Sequence, residues 1–151
     1  MSHDARLSAL NITLPDAPAP AANYVPYVRS GNLLYVSGQI SAGPDGLIKG
    51  RLGDDLDVAA GAAAARRCGL ALLAQARAAL GSLDQIKRVV KLGGFVCSTN
   101  EFTDQPEVVN GCSDLMVEVF GDAGRHARAA VSVNALPRGV AVEIEAIFEV
   151  A

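Results

Sequence analysis

The sequence has few of the residues from which metal sites, disulfides and membrane spans are built. Its 151 residues include two histidines, His3 and His126, and three cysteines, Cys68, Cys97 and Cys112. Because these residues lack metal-ligand spacing, we expect no metal and reduced, mostly buried thiols. No apolar run reaches the roughly 18 residues that a membrane span needs, and the polar N-terminus leads into no signal core. These absences predict a cytoplasmic protein that is not bound to a membrane.

Common catalytic motifs are absent as well. The chain has no glycine-rich phosphate loop, no Gly-x-Ser-x-Gly turn and no His-Glu-x-x-His helix. Its net charge is −3, with 50% hydrophobic and 19% charged residues. This mildly acidic balance argues against a nucleic-acid partner, which usually requires clustered cations. The composition predicts one globular domain with a sizeable core.

The chain divides into an extended lead-in over residues 1–22 and a single domain over residues 23–151. Prolines within residues 14–22 disfavour a helix there. The domain shows the order strand, strand, helix, strand, helix, strand, strand, which predicts an α+β fold with two helices over a mixed β-sheet. A bulge is expected at Gly93-Gly94. The expected segments are residues 24–29, 33–40, 57–80, 86–97, a helix from Thr103 or Asp104 to Gly121, and strands on both sides of residues 136–139.

The last two strands carry the most informative pattern. Both alternate with period 2, so that Val131 and Ile144 belong to apolar faces. Arg128 and Glu143 belong to the opposite faces. An arginine and a glutamate so placed could bind a small anion and activate a water, although a sheet with one solvated face explains the pattern more simply.

A simple hairpin of these strands would keep the two charged residues apart. If Leu136 lay opposite Ala141, Asn134 would face Glu143, and Arg128 would lie six residues away, roughly 20 Å along the strand. A site that uses both residues therefore needs a different strand order or a second subunit. The sequence does not choose between them.

Three segments carry a resemblance to a known family: Val36-Ser-Gly-Gln-Ile40 after a hairpin, Val109-Asn110 in the second helix, and the spacing from Arg128 through Leu136-Pro137 to Glu143. Together they resemble the reactive intermediate deaminase (Rid) family, formerly called YjgF, over nearly the whole chain from Tyr24 onward. The resemblance implies a chorismate-mutase-like fold and a homotrimer with sites between subunits. It also implies hydrolysis of enamines and imines, typically of the 2-aminoacrylate type, to a 2-keto acid and ammonia without a cofactor.

The resemblance assigns a role to each matching residue. Arg128 matches the arginine that grips the substrate carboxylate, for which a guanidinium fork is suited. Glu143 matches the acid that holds the attacking water and takes its proton. The remaining matches are Ser37 and the Gly38 amide in the pocket wall, Tyr24 at the mouth, and Asn110 reaching the cleft from a helix. Taken singly, these are also an ordinary turn serine, an edge-strand tyrosine and a solvated asparagine.

Two departures indicate a side branch of the family. Ala130 stands two residues after the arginine, where the best-known deaminases carry a cysteine, and the connectors at 43–55 and 121–125 are longer. The leading hypothesis is a trimeric deaminase of small 2-imino acids. The alternative is a non-catalytic binder of small carboxylates such as 2-keto acids, which the retained Glu143 disfavours. A ribonuclease or translation inhibitor, an older name for this family, is opposed by the acidic balance.

Overall fold

The computed structural model describes residues 1–151 and combines helices with one main β-sheet. The sheet has the strand order β1-β2-β7-β5-β6, and β3 pairs with β4 separately. The β5–β6 pair is parallel and the other pairs are antiparallel, so the sheet is mixed as expected. The helices are α1 (His3–Ala9), α2 (Val58–Leu80) and α3 (Gln105–Phe120), and the strands are β1 (Tyr27–Ser30), β2 (Leu33–Ile40), β3 (Ala42–Gly43), β4 (Gly46–Leu47), β5 (Ile86–Cys97), β6 (Ala127–Val133) and β7 (Val142–Val150).

Helix α2 begins and ends where its sequence signals predict. The Asp57 side chain accepts a hydrogen bond from the Ala60 amide, and Gly81 ends the helix in the left-handed region at φ 84°. The helix packs closely on α3, because a Cβ on Gly69 would lie only 2.8 Å from the Leu115 side chain. The core fills the space between these helices and the sheet, and all three cysteines are buried and unpaired. None of the helices combines the length and hydropathy that crossing a bilayer requires.

Strand β7 lies in the middle of the sheet, between β2 and β5. The last two strands therefore do not form a hairpin, and a different strand order, one of the two alternatives left open by the sequence, is the arrangement that occurs. A 3₁₀ turn at Pro137–Gly139, with Arg138 at φ 58°, carries the chain from edge strand β6 to the centre. The apolar side chains of β7 explain its place, because a central strand hydrogen-bonds on both edges and buries one whole face under the helices. These buried residues are Val142, Ile144, Ala146, Phe148 and Val150.

The prediction of an extended lead-in over residues 1–22 is wrong for its first part, because the N-terminal segment begins with a helix. His3–Ala9 form α1, which Ser2 caps by accepting a hydrogen bond from the Ala5 amide. The helix docks on the domain because Leu7 is buried and Arg6 Nε donates to the Glu118 carbonyl at 3.0 Å. Residues 14–22 contain no helix or strand, in agreement with their prolines.

Strand β5 passes through Gly93 and Gly94 without the expected bulge. Its register shifts fall earlier, between Ile86 and Arg88 and between Val89 and Lys91. The prediction was wrong because these glycines provide space rather than a backbone kink. A Cβ on Gly94 would lie 2.7 Å from Val109 of α3, so the glycine lets the helix approach the sheet.

Helices cover only one of the two faces of the sheet. The helices pack on one face, and we call the other the open face. Apolar side chains are accessible there, with Val28 52%, Tyr35 43% and Val131 47% exposed. The apolar face of β6 that carries Val131 therefore belongs to the open face of the sheet. The reason is that α3 covers the Arg128 side of this edge strand.

Candidate functional site

Glu143 lines a cavity of about 360 Å³ where β2 meets β7, together with Tyr24, Gly38 and residues 18–22. The register of β2 against β7 shifts between Val36 and Gln39, and this irregularity places Gly38 against the Glu143 carboxylate. A Cβ on Gly38 would overlap that carboxylate. Glycine is therefore required at this position for Glu143 to keep its place.

The Glu143 carboxylate is half-buried and takes part in neither salt bridge of the chain. Burial raises the pKa of Glu143, and the neighbouring Glu145 carboxylate raises it further. A carboxylate with a raised pKa accepts a proton more readily than an ordinary one. The electrostatics of this cavity therefore suit a general base.

Two buried amides lie at the wall of the same cavity. Gln39 is 7% and Gln75 2% exposed. The Gln75 Nε2 donates to the Pro18 carbonyl at 2.6 Å and to Gln39 Oε1 at 3.4 Å. These bonds hold residues 18–22 over the cavity. Gln75 was not predicted as a site residue, although it is the one polar side chain in the otherwise apolar run of residues 70–76.

Arg128 lines a second cavity of about 300 Å³ between β6 and α3, together with Asn110 and Ser113. Its Nη1 donates to Asn110 Oδ1 at 2.9 Å and to Ser113 Oγ at 3.0 Å, and its Nη2 donates to the Pro106 carbonyl at 3.1 Å. A guanidinium has five N–H groups, so Nε–H and one Nη2–H have no partner in the chain. That number suffices for two parallel hydrogen bonds to a carboxylate.

His126, which the sequence did not predict as a site residue, completes this second cavity. Its Nε2 lies 2.9 Å from Ser113 Oγ, and its Nδ1 lies 2.6 Å from the Gly124 carbonyl oxygen. Burial lowers the pKa of His126; the Gly124 hydrogen bond opposes this and the Arg128 charge reinforces it. The two-residue spacing to Arg128 was the available signal, because such residues share one side of an extended segment.

Within one chain, Arg128 and Glu143 lie on opposite faces of the sheet. Arg128 is paired with Leu92, which is buried on the helix side, whereas Glu143 is paired with Phe95, three residues further along β5. An odd spacing reverses the face. Three residues along the strand and two strand-to-strand steps separate the two Cα atoms by about 14 Å.

The chain therefore distributes the expected site residues over two cavities. Tyr24, Gly38 and Glu143 line one, and Asn110 and Arg128 line the other. The two remaining residues line neither. Ser37 Oγ donates to the Val25 carbonyl at 2.8 Å, and Ala130 packs half-buried against the core. No group of three or more His, Cys, Asp or Glu side chains is arranged to hold a metal ion.

Comparison with known proteins identifies the family. Residues 4–145 match the family model described as "YjgF/chorismate mutase-like, putative endoribonuclease". The chain belongs to the YjgF family. Within this family it is similar to Protein TCP17 of Trypanosoma cruzi, with 54% identity over 96% of this chain and 92% of that protein.

Two solved structures show how the chain relates to other YjgF-family folds. Protein Atu1372 from Agrobacterium tumefaciens, described as having unknown function, is 49% identical with a TM-score of 0.91, covering 99% of this chain and 92% of that one. The YjgF gene product from E. coli is 32% identical with a TM-score of 0.62, covering 89% and 93%. The chain is thus much more similar in shape to Atu1372 than to the E. coli protein.

Proposed function

We propose that this protein hydrolyses small enamines and imines derived from 2-amino acids, giving 2-keto acids and ammonia without a cofactor. The observation that carries the proposal is the pair of cavities. One holds a guanidinium with two unused N–H groups, and the other holds a carboxylate whose pKa is raised. These are the two groups that binding and hydrating a 2-imino acid require.

We further propose that the protein is a homotrimer and that each site combines the two cavities from neighbouring subunits. The support is that one chain keeps Arg128 and Glu143 on opposite faces, while the open face exposes apolar side chains such as Tyr35 and Val131. An accessible apolar face of this kind favours association. Sedimentation equilibrium should give a trimer, and a concentration-independent monomer of 15.6 kDa would contradict the shared site.

In the proposed reaction, Arg128 of one subunit binds the substrate carboxylate. Glu143 of the next subunit accepts a proton from water as the water oxygen attacks C2 of the protonated imine. Protonated Glu143 returns its proton to the nitrogen of the resulting carbinolamine. The C–N bond then breaks and ammonia leaves, while the hydroxyl proton passes to Glu143 and the C=O bond forms. An enamine enters the same route after protonation at its β-carbon. One water is consumed, and no electron is transferred.

The second candidate is a non-catalytic binder of 2-keto acids that uses only the Arg128 cavity. Three hydrogen bonds already orient the guanidinium, so binding alone needs nothing from Glu143. A second carboxylate near the ligand would repel it. The raised pKa of Glu143 therefore supports the enzyme over the binder.

The two candidates are separated by measuring turnover and binding on the same variants. An amino-acid oxidase generates the imine in situ, its decay is followed, and pyruvate affinity is measured by calorimetry. We expect Glu143→Gln to lower turnover by roughly 10²–10⁴ while pyruvate binding is retained. Glu149→Gln, on the same face of β7, is the matched control and should change neither quantity.

The wild-type protein supplies the decisive outcomes. Imine decay at the buffer rate together with pyruvate binding would establish the binder. Imine decay at the buffer rate without pyruvate binding would exclude both candidates. An equal loss of turnover in both glutamine variants would remove Glu143 from its role as base.

A further inference from the structure

A chain of hydrogen bonds connects the backbone before β6 to the Arg128 guanidinium. It runs from the Gly124 carbonyl to His126 Nδ1 (2.6 Å), from His126 Nε2 to Ser113 Oγ (2.9 Å), and from Ser113 Oγ to Arg128 Nη1 (3.0 Å). Ser113 belongs to α3, whereas His126 and Arg128 belong to the segment that enters the edge of the sheet. This series of hydrogen bonds therefore connects α3 to the segment that leads into β6.

The partners at its two ends fix the direction of every bond in this chain. A carbonyl oxygen only accepts, so His126 Nδ1 carries the proton. In the neutral ring Nε2 then accepts, and the Ser113 hydroxyl donates to it. Arg128 Nη1 donates to the same hydroxyl oxygen, which accepts with a lone pair. The Ser113 hydroxyl can rotate freely only if His126 ceases to accept.

These bonds decide which part of the guanidinium faces the cavity. Asn110 and Ser113 use both N–H groups of Nη1, and the Pro106 carbonyl uses one N–H of Nη2. The unused N–H groups thus belong to Nε and Nη2, at one edge of the planar group. If Ser113 turned its proton toward Arg128, Nη1 would lose an acceptor and the plane could rotate.

We propose that His126 and Ser113 are positioning residues for Arg128, and that neutral His126 holds the guanidinium in the orientation that receives the substrate carboxylate. This inference rests on the proposed function. Protonation of His126 would place an N–H where Ser113 now donates and would add a positive charge beside Arg128. Substrate affinity should therefore weaken in acid.

Two other charged side chains, of opposite sign, lie close to His126. Arg125 and Asp114 line the same cavity, and Arg125 pairs with Asp122 at 3.4 Å. Burial already lowers the pKa of His126 from its ordinary value of 6.5. The change in affinity should therefore lie below pH 6.5, and above that pH the ring stays neutral.

The test compares KM and kcat for imine hydrolysis in three variants across pH. His126→Phe keeps a ring but removes the acceptor, and Ser113→Ala removes the hydroxyl. Each should raise KM about three- to tenfold, the effect of one lost hydrogen bond, with kcat within about twofold. His126→Gln keeps an acceptor near Nε2 at every pH, so it should restore KM to within about twofold and abolish its rise in acid.

Two further measurements keep the inference falsifiable. ¹⁵N chemical shifts of the histidine ring should show the Nδ1–H tautomer of His126, and thermal melting should confirm that each variant is folded. Combining Ser113→Ala with His126→Phe should cost no more than either change alone, since both act through one bond. If the wild type neither hydrolyses imines nor binds pyruvate, the proposed function fails. If the wild type is active but both single variants keep its KM, or lose kcat instead, the positioning role is refuted.

Discussion

Two variants, Arg128→Met and Glu143→Gln, remove different halves of the proposed site and should complement each other when their subunits mix. In the proposed trimer, each variant alone would lack one of the two groups in every site. The sheet register keeps Arg128 and Glu143 on opposite faces, with their Cα atoms about 14 Å apart. The site that we propose therefore takes its arginine from one subunit and its glutamate from the neighbouring subunit.

The size of the recovery follows from this geometry. In a closed ring of three, each subunit supplies Arg128 to one neighbour and Glu143 to the other. In a random equal mixture, the arginine side of a site is intact in half the cases, and the glutamate side is intact in half of those. About one quarter of all sites in the unselected mixture are then complete. A trimer that contains both variants always has one complete site in three, so the isolated mixed trimers should approach about one third of wild-type activity.

The assay co-expresses the two variants with different tags and isolates trimers that carry both. Imine decay is compared with that of each parent, where we expect residual turnover below about 1% of wild type for the variant without its base. Trimers of wild type and one variant, prepared in the same way, control for the effect of the tags. If tagged mixed trimers are no more active than their parents, the two residues do not meet across an interface and the reasoning is refuted.

Arg128→Lys should weaken pyruvate binding by roughly tenfold to over a hundredfold, because an ammonium cannot form the two parallel bonds; calorimetry against Arg66→Lys as control checks this. Gly38→Ala should lower kcat at least about tenfold in a folded protein, because the new methyl displaces the Glu143 carboxylate, and an unchanged kcat would contradict the close contact. Glu143→Gln should raise the melting temperature at pH 7, since a raised pKa means that ionisation costs the folded state more than the unfolded chain. That cost is complete above the folded pKa and absent below the ordinary value of 4.5, so the gain should vanish in acid, and a gain that persists there would have another cause.

Local sequence signals were sufficient for α2 and α3, but not for α1 or for the strand order of the sheet. Asp57 and Gly81 mark the ends of α2 because a cap and a left-handed glycine act within one turn. The central place of β7 depends on pairing with β2, roughly 100 or more positions away, and with β5, roughly 50 to 60 positions away. No local pattern encodes such partners. For the same reason the alternation of β6 did not reveal which of its faces α3 covers.

The candidate site shows the same contrast between features that are local in sequence and contacts that are distant in sequence. The spacing from Arg128 to Glu143 made both residues candidates, since this spacing is a property of the chain itself. Gln75 and His126 were missed because their significance comes from neighbours far away in sequence, the Pro18 carbonyl and the Ser113 hydroxyl. A single buried polar residue on a helix indicates that it has a hydrogen-bond partner but does not identify that partner.

The separation of Arg128 from Glu143 also has a chemical consequence. A direct ion pair between them would occupy the guanidinium fork and would lower the pKa of the carboxylate, so that both groups would lose the properties the reaction needs. One chain prevents this by placing them on opposite faces, and three hydrogen bonds tie Arg128 to α3. Glu143 thus remains a carboxylate without a cationic partner, and the guanidinium keeps two N–H groups for the substrate. In the proposed trimer, the substrate carboxylate rather than Glu143 is then the anion that completes the hydrogen bonding of Arg128.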